Sequence, residues 1–373
     1  MASIVMTLIG DIRYDGRVRK EIQTLTAAGH HIELVVSDFG KNGKAADDLG
    51  ITIHPIPSTL WRNPAMNFAE QLHFNQTAAS IIRKLAPTHI HCHNLNTLLA
   101  GVWAKRKIGA RLVFDAHELM PESLGGIKQR VWGQIEKRCV DTCDYIIMPE
   151  KHRIKYFKQK YPSVREIYLL ENFPRKTDIP QEAVNLLRER YPITADQKII
   201  LHTGILAARR HVDELIESMV ISTNQFVLVL LGTAYKGYET TLRKKIKSLG
   251  LVDRIYLHPS VPYTQLLHYM ASCDIGVAFY QNTNLNNYYC ASNKLFELIA
   301  LNKVVLTNDY PGLLETVGDY KQGVCLREIT PKNLAEAYIR ASDSNHIRPG
   351  RRKYFWEDEE KILSGLYDIP TRT

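Results

Sequence analysis

In residues 290–309, CASNKLFELIALNKVVLTND, Lys294 and Glu297 stand three residues apart on one face of a helix read over 294–301. The amino end of a helix carries about half a positive charge, so a lysine in its first turn is disfavoured. The placement makes sense where an anion binds, because backbone N–H groups, helix dipole and side-chain charge then act together. Ser292 or Asn293 supplies the N-cap. A carboxylate at 297 can accept two hydrogen bonds, which matches the vicinal hydroxyls of a ribose. The plainer use of the two residues is an intrahelical ion pair, but lysine before glutamate is the poorer order against the dipole and contributes only a few tenths of a kcal/mol. A second stretch, LHTGILAARRHVDELIESM, repeats the oddity: a strand ends at Thr203 and Gly204, and Arg209 and Arg210 come just before or within the first turn of the next helix. Either set alone could extend into water. Together they suit a diphosphate, with Gly204, Arg209, Arg210, Ser292, Asn293, Lys294 and Glu297 as a nucleoside-diphosphate reader.

Those turns need strands before them and helices after them, and the chain alternates the two almost throughout. Strand-like runs in the first half are SIVMTLI, HIELVVSD, ITIHPIP, THIHCHN, RLVFDAHE, YIIMPE and EIYLLENF, with helical patterns such as GRVRKEIQTLTAAG and LNTLLAGVWAKRK between most of them. Short apolar runs alternating with amphipathic helices predict a parallel sheet covered on both faces. The segment NFPRKTDIPQEAVNLLRERYPITADQK has three prolines and several charges, and reads as a linker with one short helix. Alternation then restarts with KIILHTG, FVLVLLG, RIYLHP, IGVAFY, KVVLTN and GVCLRE. The expectation is an α/β chain of two doubly wound, Rossmann-like domains facing a central cleft: 1–172, a linker 173–195, and 196–350. A last amphipathic helix within 351–373 is expected to pack back on the first domain, burying Tyr354, Phe355, Trp356, Ile362, Leu363 and Leu366. Ligands of such sheets bind at the carboxyl ends of the strands.

Composition bounds the partners. With 373 residues the chain exceeds one ordinary core, and 45% hydrophobic with 23% charged residues is the balance of a globular protein. No apolar run approaches the roughly 20 residues that span a bilayer, and the amino end reads as a core strand and not as a signal peptide. Six cysteines without CxxC or Cys/His spacing read as reduced and mostly buried, and Cys139 and Cys143, one turn apart, as packing residues. The net charge of +9 lies mainly in residues 1–170, where 23 Lys and Arg face 16 Asp and Glu. The densest stretch holds Lys151, His152, Arg153, Lys155, Lys158, Lys160 and Arg165 between Tyr156, Phe157 and Tyr161; it reads either as a solvated helix face or as an attractor of an anionic membrane or lipid-diphosphate surface.

SNKLFELIALNKVVLTND resembles the nucleotide-binding signature of retaining GT-B glycosyltransferases of family 4, P-N-K-x-x-E-x-x-x-x-G-x-P-V. DIRYDGRVRKEIQTLTAAGHHIELV is similar to that family's amino-terminal D-x-R-x-x-x-E stretch, FDAHELMPE to its D-x-H-E segment, and FWEDEEKILSGLY to its closing helix. The resemblance implies that Arg210 and Lys294 bind diphosphate, that Glu297 holds ribose, and that His117 sits near the donor sugar and its β-phosphate. It places Asp11, Arg13 and Tyr14 on the loop that faces the acceptor. Three positions depart from the pattern: Tyr289 replaces the first glutamate of the E-x7-E pair and so falls at the donor sugar, Ile205 replaces an arginine, and Ser292 replaces a proline.

The implied reaction moves a hexose from a nucleoside-diphosphate sugar to an acceptor hydroxyl with the anomeric configuration kept. UDP is favoured over GDP. His117, Arg210 and Lys294 are the expected catalytic residues, the two cations stabilising charge on the departing diphosphate. No D-x-D ends a strand in either signature, so no metal and no further cofactor are expected. The acceptor would be a glycan or lipid-linked sugar in polysaccharide or glycolipid assembly, on a cytoplasmic enzyme whose basic first domain could dock at the inner membrane face. A nucleotide-sugar epimerase on the same architecture and a non-enzymatic anion- or membrane-binding module are the rivals. A dinucleotide oxidoreductase lacks its G-x-G-x-x-G fingerprint, and nucleic-acid binding has no motif beyond charge.

Overall fold

Strands that are buried on both faces have no room for polar alternation, which is why the apolar runs of this chain become central parallel strands. A computed structural model of the protein describes residues 1–38, 47–57, 68–182, 184–235, 237–343 and 355–368. The described residues divide into two units, Met1–Glu171 with Glu357–Thr373, and Asn172–Trp356.

The first unit contains β1 (Ser3–Leu8), β2 (His31–Asp38), β3 (Thr52–Pro57), β4 (His89–His93), β5 (Arg111–Asp115), β6 (Tyr145–Met148) and β7 (Ile167–Leu169). They form one parallel sheet in the order β3-β2-β1-β4-β5-β6-β7. The second unit contains β8 (Lys198–Thr203), β9 (Phe226–Leu231), β10 (Ile255–His258), β11 (Ile275–Ala278), β12 (Val304–Asn308) and β13 (Gly323–Leu326), ordered β10-β9-β8-β11-β12-β13. Each order reverses once, between β1 and β4 and between β8 and β11. Loops at such a reversal diverge to opposite faces and leave a crevice at the strand ends, the place where doubly wound sheets take ligands.

The core of the second unit lies on both faces of its sheet. Leu228 and Leu230 pack with Leu215 and Met219 on one side, and Val227 and Val229 with Leu267 and Leu298 on the other. Residues 173–195, expected to be a linker, are built into this unit. Phe173, Leu187 and Ile193 are buried in the second of those layers, and Phe173 meets Phe296 edge-on at 4.4 Å.

The Trp356–Gly365 helix belongs to the first unit from Glu357 onward. Trp356, Leu363 and Leu366 are buried, but Ile362 is 39% exposed, and Tyr354 lies outside the described residues. Its place is taken by an acid: buried Glu359 accepts the Glu171 amide at 2.8 Å, while Glu360 accepts from Thr24 Oγ1 at 3.0 Å. Hydrogen bonds to backbone and hydroxyl donors decide this helix's face as much as its apolar residues do.

Candidate functional site

In the second unit β8 runs into Gly204, whose φ of +99° lies in the region glycine alone enters without strain. A β-carbon there would lie 3.2 Å from Cε and Nζ of Lys294, so the lysine stem passes directly over the turn. Behind it, a β-carbon on Gly232 would fall 1.7 Å from the Gly204 carbonyl oxygen; only a bare backbone fits. Arg209 and Arg210 occupy a 3-10 turn, Ala208–Arg210, which left-handed His211 (φ 58°) joins to the Val212–Ile221 helix. Both arginines therefore precede that helix. Arg210 stacks over the Tyr280 ring at 4.5 Å; Arg209 turns aside, donating to the Tyr235 hydroxyl at 3.0 Å.

The Asn293–Ala300 helix carries the other cation. Ser292, not Asn293, is its N-cap and accepts the Leu295 amide at 3.2 Å; its hydroxyl also meets the Tyr280 hydroxyl at 2.8 Å. Asn293 instead accepts from Asn172 at 3.1 Å. Glu297 is buried in the same helix and accepts from the Tyr263 hydroxyl at 3.3 Å. Tyr289 packs on Tyr288 at 5.1 Å between ring centres.

Burial and then the neighbouring Arg210 charge lower the Lys294 ammonium to about 8, and Glu297 only partly offsets them. Burial, with the Lys294 and Arg210 charges, also holds His202 neutral at the end of β8. Burial raises the Tyr280 phenol to about 12, so it stays a neutral platform under Arg210. Gly204, Arg210, Ser292, Lys294 and Glu297 thus come together around one strand end, in a positive field that the protein itself leaves under-compensated. Tyr280, Tyr263 and His202 were not singled out from sequence. The glycine of LHTG carried a signal, but nothing local marks a tyrosine as the floor beneath an arginine.

In the first unit Asp11, Arg13 and Tyr14 lie on the loop between β1 and the Gly16–Ala27 helix. Arg13 Nε donates to both Asp11 carboxylate oxygens, at 2.8 and 3.1 Å, and its guanidinium covers the Tyr14 ring at 5.2 Å. Tyr14 is exposed.

His117 follows β5, and beneath it lies a buried polar cluster. Side chains on a strand alternate, so His91 and His93 share a face of β4, stacked at 4.3 Å, and the register sets His93 opposite Asp115. Arg17 and Glu21, one turn apart on the Gly16–Ala27 helix, descend onto that face. Arg17 grips Asp115 with two bonds, Nε to Oδ2 and a terminal nitrogen to Oδ1, each 2.9 Å, and donates a third to the Leu170 carbonyl at 2.8 Å. His117 Nε2 lies 2.9 Å from Asp115 Oδ2, and the Tyr367 hydroxyl closes the far side against His91 Nδ1 at 2.5 Å.

Burial alone would raise the Asp115 carboxyl; the Arg17 and His117 charges outweigh it and hold it well below the usual range. Burial, and then the charge on Asp115, push Glu21 well up, so Glu21 is the neutral member of the pair. His91 and His93 are lowered, chiefly by burial. Ligand atoms of Glu21, His91, His93 and Asp115 lie within 4.8 Å of one another, a donor set of the kind that holds zinc or iron. Arg17 already supplies a cation there, 2.9 Å from Glu21 and from Asp115.

The basic stretch near 151–165 divides. Arg153 turns inward and donates to the His117 carbonyl at 2.7 Å; Lys160 is bound by Glu122 at 2.6 Å and Glu136 at 2.8 Å. Lys155, Lys158 and Arg165 are exposed. Cys139 is buried and Cys143 half-buried, with Cys143 Sγ 3.5 Å from the Cys139 carbonyl oxygen. Among the described residues no helix is long and apolar enough to cross a membrane.

Comparison with known proteins converges on one family. Residues 16–162 match the family profile "Glycosyl transferase 4-like domain" and residues 184–355 match "Glycosyl transferases group 1". No curated protein matches the chain in sequence. Among solved structures, Anabaena Alr3699/HepE in complex with UDP and glucose is similar with a TM-score of 0.77 at 15% identity, covering 99% of this chain and 100% of that one. Sucrose-phosphate synthase from Thermosynechococcus elongatus gives 0.77 at 16%, covering 98% of each chain. A Listeria monocytogenes protein assigned as a UDP-N-acetylglucosamine 2-epimerase gives 0.69 at 12%, covering 99% and 97%. At these identities the structures speak for the fold, while the two profiles between them span most of the sequence. The chain belongs to the GT-B glycosyltransferases of the family 4 type.

Proposed function

We propose that this glycosyltransferase moves a hexose from UDP-hexose to an acceptor hydroxyl with retention, without a metal ion or other cofactor. The observation that carries the donor assignment is the pair Arg210 and Lys294 at the end of β8, where the lysine is held at about 8 beside the bare turn of Gly204. Two cations kept near one another with only Glu297 to offset them bind an anion more tightly than solvated ones, because binding relieves their mutual repulsion. Arg210, Lys294 and the Ser292-capped helix start take the diphosphate, and Glu297, steadied by Tyr263, takes the ribose hydroxyls. HepE crystals with UDP and with UDP-glucose support uridine as the base.

As the C–O bond breaks, charge grows on the departing phosphate oxygen. One preorganised contact to it is worth roughly 3 kcal/mol, two to three decades in rate. The diphosphate itself assists removal of the acceptor proton on the same face. Tyr289 bears on the donor sugar, and Asp11, Arg13 and Tyr14 on the acceptor, a glycan or lipid-linked sugar of polysaccharide or glycolipid assembly. Exposed Lys155, Lys158 and Arg165 favour a peripheral position at the anionic cytoplasmic membrane face. The fold is common to transferases and to the Listeria epimerase, so chemistry must separate them. Thermal shifts against UDP, GDP, ADP and dTDP identify the base, with Lys294→Ala and Glu297→Ala abolishing the shift and Tyr289→Phe keeping it. Turnover of UDP-glucose that requires an added acceptor and survives EDTA supports the transferase. Epimer release without acceptor, or loss of activity with EDTA, refutes it.

A further inference from the structure

We propose that Asp115 is a positioning residue for the transfer reaction: it receives the Nε2–H of His117, holds that ring in one orientation, and is itself clamped by Arg17. The inference rests on the reading that His117 acts on the reacting sugar. A histidine beside a fully ionised carboxylate donates to it, and the nitrogen so engaged decides what the other one is. Asp115 Oδ2 lies 2.9 Å from His117 Nε2, against 3.4 Å between His117 Nδ1 and the amide nitrogen of Asn94, a donor only. His93 Nδ1 also lies 3.2 Å from Nε2, farther than the carboxylate oxygen, so the shortest contact of the ring places a proton on Nε2 facing Asp115.

The carboxylate cannot turn away. Arg17 holds both its oxygens and is anchored in turn to the Leu170 carbonyl, all within a buried layer. His93 Nδ1 approaches the same Oδ2 at 3.3 Å and fills the remaining side. Asn94 is fixed as well: its backbone sits at φ 65°, uncommon for a residue with a side chain, and its amide donates to the Asp115 carbonyl at 2.8 Å. The Arg153 bond to the His117 carbonyl pins the main chain at 2.7 Å. Histidine, orienting carboxylate and supporting cation follow the logic by which a catalytic histidine is held in place, here built across β4, β5 and the first helix.

Two measurements test this. In protein labelled with nitrogen-15 histidine, long-range proton–nitrogen correlation should show a proton on Nε2 of His117; a bare Nε2 overturns the proposal, and no variant is needed. The second is a double-mutant cycle on UDP release from UDP-glucose. His117→Ala and Asp115→Asn should each lower kcat, the latter about 10- to 100-fold as for outer-shell partners of a histidine, with donor KM unchanged. The double variant should equal His117→Ala alone. If Asp115→Asn costs as much without His117 as with it, Asp115 acts elsewhere and the proposal falls. If His117→Ala leaves kcat intact, it is the reading of His117 that fails, and this inference with it. Should Asp115→Asn not fold, the nitrogen-15 measurement decides.

Discussion

Lys294 sits where folding disfavours its charge, and replacing it by methionine should make the protein more stable while destroying its ligand affinity. Lowering an ammonium from 10.5 to about 8 corresponds to roughly 3 kcal/mol against the folded, charged state. Between about 8 and 10.5 the unfolded chain still holds a proton that the folded chain has released, so stability rises as pH climbs through that window. Below it the whole penalty is present. Lys294→Met keeps the stem over Gly204 and removes the charge, so at pH 7 the melting temperature should rise by roughly 5 °C after allowance for partial exposure. In the wild type, diphosphate binding draws the ammonium back toward its ordinary value, which couples binding to proton uptake. UDP affinity should therefore fall by up to about tenfold per pH unit above 8. Calorimetry in two buffers of different ionisation enthalpy at pH 8.5 would read the proton directly. A methionine variant that melts lower than wild type, that keeps its UDP-induced shift, or a wild-type affinity flat from pH 7 to 9.5 would refute the reasoning.

Three further outcomes follow from packing and charge. Gly232→Ala sets a carbon 1.7 Å from the Gly204 carbonyl and should yield insoluble or strongly destabilised protein, seen in expression and melting. Lys160→Ala strips the cation from Glu122 and Glu136, both buried, and should cost about 3 kcal/mol in denaturant unfolding at pH 7, with the loss shrinking at lower pH as Glu136, raised by burial, takes up a proton. Glu21→Gln mimics the neutral acid: since the folded value is raised, wild type loses stability as pH rises above about 4.5, and the variant should gain on it by up to about 1.4 kcal/mol per pH unit until the folded value is passed.

All thirteen strand runs read from the sequence appear in the two sheets; most central strands are apolar nearly throughout because both faces are covered, and buried β4 with its histidines is the departure. The cations around Gly204 were legible for a similar reason: a lysine in a first helical turn is locally anomalous whatever surrounds it. The cluster under His117 was not. Arg17 and Asp115 lie 98 residues apart, and Glu21 reads as an ordinary surface glutamate until the sheet arrives beneath it. Alternation in HIHCH was the one available hint, since it sets three histidines on a single face. Charge density misled at Arg153 and Lys160, which are as basic as their neighbours but face inward toward partners supplied by other elements. Hydrophobicity misled at Ile362, and prolines with charges drew attention in 173–195 away from Phe173, Leu187 and Ile193, which are buried in the second unit.

Tyr367 seals His91, and Glu359 and Glu360 tie the final helix to Glu171 and Thr24, segments synthesised long before it. The charged interior of the first sheet therefore gains this cover only once residues 357–367 have folded back on segments made 188 to 336 residues earlier. A chain ending short of Tyr367 would leave His91 Nδ1 without its hydroxyl partner in an otherwise buried layer, an unpaired polar group where water has little access.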